Sequence, residues 1–128
     1  RTEVAAAFSA GDYGSTFGGQ PLALAAARAT LDVMQALDVP TLARVQGAKL
    51  TQGLAGLAHV TSVRGLGLLL AVELDQPVAK AVGAACLEAG LVVNPLGDTS
   101  IRLAPPLTVS DEHIDEALSI LGTALEAA

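Results

Sequence analysis

At 128 residues, the chain has the size that one hydrophobic core supports. Hydrophobic residues make up 52% of it and aromatic residues 2%, so the core has to be aliphatic; a formal charge of −6 argues against a nucleic-acid groove or an anionic membrane surface. One cysteine excludes an internal disulfide framework and suits a cytoplasmic protein, and no apolar run approaches the ~18–20 residues of a membrane helix. Mean hydropathy of +0.53 is high for a free-standing domain and points to apolar surface that belongs against a partner or a second domain.

The opening residues read as cut. Arg1 begins no element, no signal-peptide pattern is present, and residues 4–8 are a short apolar segment without a core partner nearby, as if the sequence began inside a larger protein. Next comes Gly14-Ser15-Thr16-Phe17-Gly18-Gly19-Gln20-Pro21, with three glycines, two hydroxyls and a proline. Glycines let a backbone approach a ligand closely, and Pro21 fits the first turn of a helix, where its missing N–H costs nothing. Unpaired amides at that helix start, with hydroxyls beside them, suit an anion such as phosphate. The loop has neither the Gly-Lys-Ser/Thr end of a Walker loop nor the spacing of a dinucleotide fingerprint.

Residues 22–37 read as a helix whose polar residues Arg28, Asp32 and Gln35 share one stripe, with Arg28 and Asp32 four apart. The rest is apolar or small, which predicts burial on most sides. Asp38 is placed to cap a second helix with Pro40 in its first turn, running to about residue 58 with Leu42, Val45, Leu50, Leu54 and Leu57 inward. Strands are expected at 60–63 and 68–74, the second covered on both faces because Leu68-Leu69-Leu70 is a bare apolar run. Pro77 opens a third helix that Gly90 stops. Residues 91–94 read as a strand, 95–98 as a turn and 100–103 as a fourth strand carrying Arg102, after which Ala104-Pro105-Pro106 blocks sheet pairing. Ser110 caps the last helix, with Ile114, Ala117, Leu118, Leu121 and Leu125 on one apolar face. The order predicts an α+β fold, a small and mostly antiparallel sheet with packed helices.

Among chemistry-bearing residues, Cys86 lies in an apolar helix and reads as core, and His59 and His113 have no third ligand in view, so no metal site is expected. Lys49 and Lys80 sit in helical patterns that suit exposed faces. Arg64 reads as structural and Arg102, taken alone, as a solvated strand residue.

Three motifs stand in one order: the Gly14-to-Pro21 loop with its Ala-rich helix, Val63-Arg64-Gly65-Leu66-Gly67-Leu68-Leu69-Leu70, and Gly90-Leu91-Val92-Val93-Asn94 followed by Ile101-Arg102-Leu103-Ala104-Pro105-Pro106-Leu107. Together they resemble the C-terminal third of the class III pyridoxal-phosphate aminotransferases. Within that family the likeness is nearest to the branch acting on N-acetylornithine and 2-oxoglutarate in arginine biosynthesis; ornithine and 4-aminobutyrate enzymes, or a non-catalytic α+β ligand-binding or dimerisation module, are the alternatives.

The resemblance implies a fold type I aminotransferase and a homodimeric, cytoplasmic parent that acts on small amino and 2-oxo acids. Residues 1–38 would end its large domain and residues 39–128 would form its small C-terminal domain. It implies pyridoxal phosphate as cofactor. Thr16, with help from Ser15, would reach the phosphate held by the neighbouring subunit, and Arg102 would bind the substrate α-carboxylate. Gln20 departs from the family's more usual asparagine, which touches the helix cap and not the phosphate contact. The Schiff-base lysine would lie before residue 1, so no catalytic residue is assigned and the chain by itself is expected to be inactive.

Overall fold

Pro21, Pro40 and Gly90 mark helix boundaries as the sequence predicts, whereas Pro77 lies two residues before its helix and Pro95 lies within a strand. In the computed structural model, which describes residues 1–12 and 14–128, the elements are α1 (Thr2–Ala5), α2 (Pro21–Ala36), α3 (Val39–Ala55), β1 (Val60–Leu66), β2 (Leu69–Leu74), α4 (Ala79–Glu88), β3 (Asn94–Leu96), β4 (Ser100–Leu103) and α5 (Asp111–Glu126). Two compact units divide between Arg1–Leu37 and Asp38–Ala128.

The first unit holds α1 and α2. Pro21 is the first residue of α2, as its fixed φ favours. Burial on most sides is not what α2 shows. It contains no buried residue, and Leu22 and Leu24 are 82% and 57% exposed. The Ala/Leu composition suits a helix by propensity, and within these 128 residues its apolar side chains stay uncovered. Arg28–Asp32 is not among the ion pairs of the described residues.

The second unit carries the sheet, in the order β1-β2-β4-β3, antiparallel throughout. Helices α3 and α4 lie against it and α5 packs on both. Strand alternation sends Val63, Leu70, Val72, Ile101 and Leu103 toward the helices, where they join Leu50, Leu54, Val82, Cys86, Ile114, Leu121 and Leu125 in one aliphatic core. Cys86 is fully buried, and that burial pushes its thiol pKa up. At Gly47 the helix meets the β1–β2 turn so closely that a Cβ would sit 2.2 Å from the Gly67 carbonyl oxygen.

Four local expectations need correction. Asp38 occupies the N-cap of α3 but makes no side-chain capping bond; its φ is 46°, and its carbonyl accepts from Thr41 and Leu42 instead. Val45 is exposed, on the outer side of α3. β2 starts at Leu69 and not at Leu68, and Leu69 is 60% exposed, while Leu70, Ala71 and Val72 are buried. Residues 91–93 are not a strand. The Leu91 N–H donates to the Cys86 carbonyl at 2.8 Å, closing the end of α4 at Gly90 (φ 92°), so pairing with β4 begins at Asn94. Pro95 therefore sits inside β3, which is tolerated because β3 is an edge strand.

Candidate functional site

In the first unit the candidate site is the loop leading into α2. The Ser15 hydroxyl oxygen accepts from the Gly18 N–H at 2.9 Å, folding the loop into a hydroxyl-braced turn. Gly19 follows at φ 79°, a conformation that suits glycine. The Thr16 hydroxyl makes no hydrogen bond among the described residues. The first bond into α2 runs from Leu24 N–H to the Gln20 carbonyl at 2.9 Å, so the amides of Leu22 and Ala23 precede the ladder. No acidic residue occurs between Asp12 and Asp32. Hydroxyl and amide donors without a nearby carboxylate suit a phosphate dianion, so the residues present fit that part of a pyridoxal-phosphate site.

In the second unit the site residues lie on the open face of the sheet. Strand register places Arg64, Ala71, Arg102 and Asn94 in one row across all four strands. Adjacent residues in that row point to the same side, opposite Ile101 and Leu103. The two arginines differ in their partners. Arg64 Nε donates to Glu73 Oε1 at 2.8 Å, and Nη2 lies 2.8 Å from the same oxygen. Glu73 also accepts a hydrogen bond from the Ser100 hydroxyl. The Ser100 bond first, and Arg64 second, hold the Glu73 carboxyl below its usual range. Arg102 meets no carboxylate among the described residues. With the Asn94 amide turned to satisfy both its ends, the Asn94 oxygen accepts from Arg102 Nη2 at 2.6 Å, and the Asn94 nitrogen donates to the Pro95 carbonyl at 3.2 Å.

Alternation along the strands could have placed Arg64, Glu73 and Arg102 on one face from the sequence. Asn94 was missed as a partner because the sequence reading put it at the end of a misplaced strand; Ser100 was placed correctly at the start of its strand, but its register against Glu73 was not read.

The lysines are engaged elsewhere. Lys49 pairs with Asp115 at 2.9 Å and Asp111 at 3.4 Å, and Lys80 with Asp98 at 2.8 Å. The hydrogen bond to Asp115 raises the pKa of Lys49, and that to Asp98 raises the pKa of Lys80. An amine that attacks a carbonyl needs the opposite shift. His59 contacts Asp75 and Gln76, and His113 contacts Ser110, each at 3.0–3.1 Å. Among the described residues no group of three or more potential ligands is placed to hold a metal, and no helix is long and apolar enough to cross a membrane. A cleft of about 630 Å³ opens on the helix side of β4 among Leu50, Val93, Leu103, Pro105, Val109 and Ile114. His113 is its one ionisable lining residue, and Arg102 is not part of its wall.

The family model for class III aminotransferases matches residues 1–125, and the chain belongs to that family. The acetylornithine aminotransferase of Bifidobacterium longum is 45% identical over 121 residues, covering 93% of this chain and 28% of that protein. The chain thus spans about three tenths of the length of the curated relatives it matches. The structure of acetylornithine aminotransferase from Elizabethkingia anophelis superposes with a TM-score of 0.81 at 32% identity, over 99% of this chain and 34% of that one. An amine transaminase from an uncultivated Pseudomonas species, solved in a PLP-bound form, gives 0.80 at 32% identity over 91% of this chain and 30% of that one. Enzymes named for different amino donors share the fold equally well, so the fold does not select the substrate.

Proposed function

We propose that these residues serve as the C-terminal part of a pyridoxal-phosphate aminotransferase that moves an amino group between N-acetylornithine and 2-oxoglutarate in arginine biosynthesis, working as a cytoplasmic homodimer. Residues 1–38 would close its large domain and residues 39–128 form its small one. Identity of 45% to an acetylornithine aminotransferase favours this donor over ornithine or 4-aminobutyrate. The observation that carries the site is the contrast between the two arginines: Arg64 is neutralised by Glu73, whereas Arg102 faces a neutral amide on the open face of the sheet.

Bound pyridoxal phosphate would supply the electron sink that acidifies the C–H bond on the carbon bearing the transferred amine. Thr16 and the amides at the start of α2 hold its phosphate from the neighbouring subunit, and Ser15 keeps that loop folded. Arg102 takes the substrate α-carboxylate. Its planar fork meets two oxygens at once, which orients the substrate as well as binding the acid.

One pair of variants in the whole aminotransferase tests both assignments. Arg102→Lys keeps the charge and loses the fork, and should lower kcat/KM for N-acetylornithine at least about tenfold, ~1.4 kcal/mol. Amines lacking an α-carboxylate should lose much less, and cofactor retention should stay unchanged. Thr16→Ala should weaken cofactor retention by ~1.5–3 kcal/mol, the range for a bond to a charged group. Equal small effects of Arg102→Lys on both substrate types would remove Arg102 from the site; normal retention in Thr16→Ala would remove Thr16.

A further inference from the structure

We infer that Asn94 is a positioning residue for Arg102, setting both the direction of its guanidinium and its readiness for a substrate carboxylate. The inference rests on the assignment of Arg102 to the α-carboxylate and extends it by one residue.

The geometry begins with register. Asn94 on β3 is the direct cross-strand partner of Arg102 on β4. Directly opposed residues keep their side chains on one face within reach of each other. The Asn94 oxygen, 2.6 Å from Nη2, takes one donor of the fork. The Asn94 nitrogen is spent on the Pro95 carbonyl at 3.2 Å, which fixes which end of the amide faces the arginine. Pro95 is itself held in the ladder opposite Ile101. The amide is therefore anchored on one side and presents an acceptor on the other.

Its neutrality matters as much as its direction. A guanidinium carries five donors, and one bond to an amide leaves the others to a ligand. The other end of the same row shows the contrasting arrangement. Arg64 is gripped by the Glu73 carboxylate through Nε and Nη2, and that carboxylate is in turn held by Ser100. A carboxylate at position 94 would do to Arg102 what Glu73 does to Arg64, satisfying the charge from within the sheet. An amide orients without neutralising, so the acid that completes the ion pair comes from the substrate.

Asn94 is exposed, so its replacement should leave the fold intact. In the whole aminotransferase, Asn94→Leu keeps the volume and removes the acceptor. It should raise KM for N-acetylornithine about fivefold and leave kcat within about twofold, because binding is loosened and the reacting bond is not touched. Asn94→Asp should raise KM further, about tenfold or more, by competing with the substrate for the fork. Amines without an α-carboxylate should show unchanged kinetics in both variants, and Asn94→Gln, which restores an acceptor, should recover part of the loss. Arg102→Lys measured beside them separates two failures. If Arg102→Lys is impaired only toward α-carboxylate substrates while Asn94→Leu and Asn94→Asp are normal, the role of Asn94 is overturned and that of Arg102 stands. If Arg102→Lys is also normal, the carboxylate assignment falls and takes this inference with it. Equal losses toward amines and amino acids in the Asn94 variants mean a structural role and overturn the inference.

Discussion

The two units of this chain have nearly the same hydrophobic vocabulary and use it differently. In Arg1–Leu37 a 16-residue helix rich in Ala and Leu buries none of its side chains, whereas Asp38–Ala128 contains every buried residue among those described. Helix α5 has the same length and an aliphatic face of similar content, yet Ile114, Leu121, Ala124 and Leu125 are enclosed. Within its own unit α5 has a sheet and two helices to pack on, whereas the first unit contains only the four-residue α1 besides α2. Composition establishes that a helix forms; only tertiary partners establish what it buries.

The chemistry divides along the same line, and the largest predicted effect follows from it. The loop residues proposed for the phosphate lie in the first unit, while Arg102 and both lysines lie in the second. Both lysines are held in ion pairs that raise their pKa values. We predict that the 128 residues alone are silent in transamination. Mixing the chain with pyridoxal phosphate and reducing with borohydride should trap neither lysine in stoichiometric amount. Stoichiometric trapping at Lys49 or Lys80, with turnover of N-acetylornithine, would sink this and make the second unit chemically self-sufficient.

The next effect separates the units by stability. Leu54→Ala empties a fully buried site and should cost ~2–5 kcal/mol in urea unfolding of the chain. Leu24→Ala removes an exposed side chain and should stay within ~0.5 kcal/mol. Matching losses would break the comparison, because they would require Leu24 to be enclosed in solution.

The smallest effect is confined to the sheet of the second unit. Glu73 titrates below its ordinary value near 4.5 because Ser100, and after it Arg64, stabilise the carboxylate. A lowered folded-state pKa contributes stability that is complete above the ordinary value and is lost as pH falls through the lowered one. On acidification from about pH 5 toward pH 3, the parent chain should therefore lose stability faster than Glu73→Gln does. Parallel acid limbs for the two proteins would show that this network does not couple protons to folding.

Much of the second unit was legible in its sequence because period and punctuation agreed there. Ser110 accepts the His113 N–H as a cap, and the apolar positions from Ile114 to Leu125 face the core. Reading failed where one backbone bond outranked propensity: Leu91 to Val93 look like a strand, but the Leu91 amide belongs to the end of α4. It failed again at α2, where the residues that cover a helix do not show in the helix's own pattern. Arg102 was legible as a strand arginine, and its family motif singled it out. That Arg64 is quenched and Arg102 is not depends on strand register, which brings Glu73 diagonally to Arg64 and Asn94 directly opposite Arg102.

Pro95 has a consequence for solubility. β3 is a sheet edge only three residues long. Consecutive N–H groups of an extended strand point to opposite sides, so Asn94 and Leu96 share one side and position 95 has the other. Proline supplies no hydrogen there. An intruding strand from another molecule would find no donor row along that border, so β3 ends the sheet without offering a template for fibrous growth.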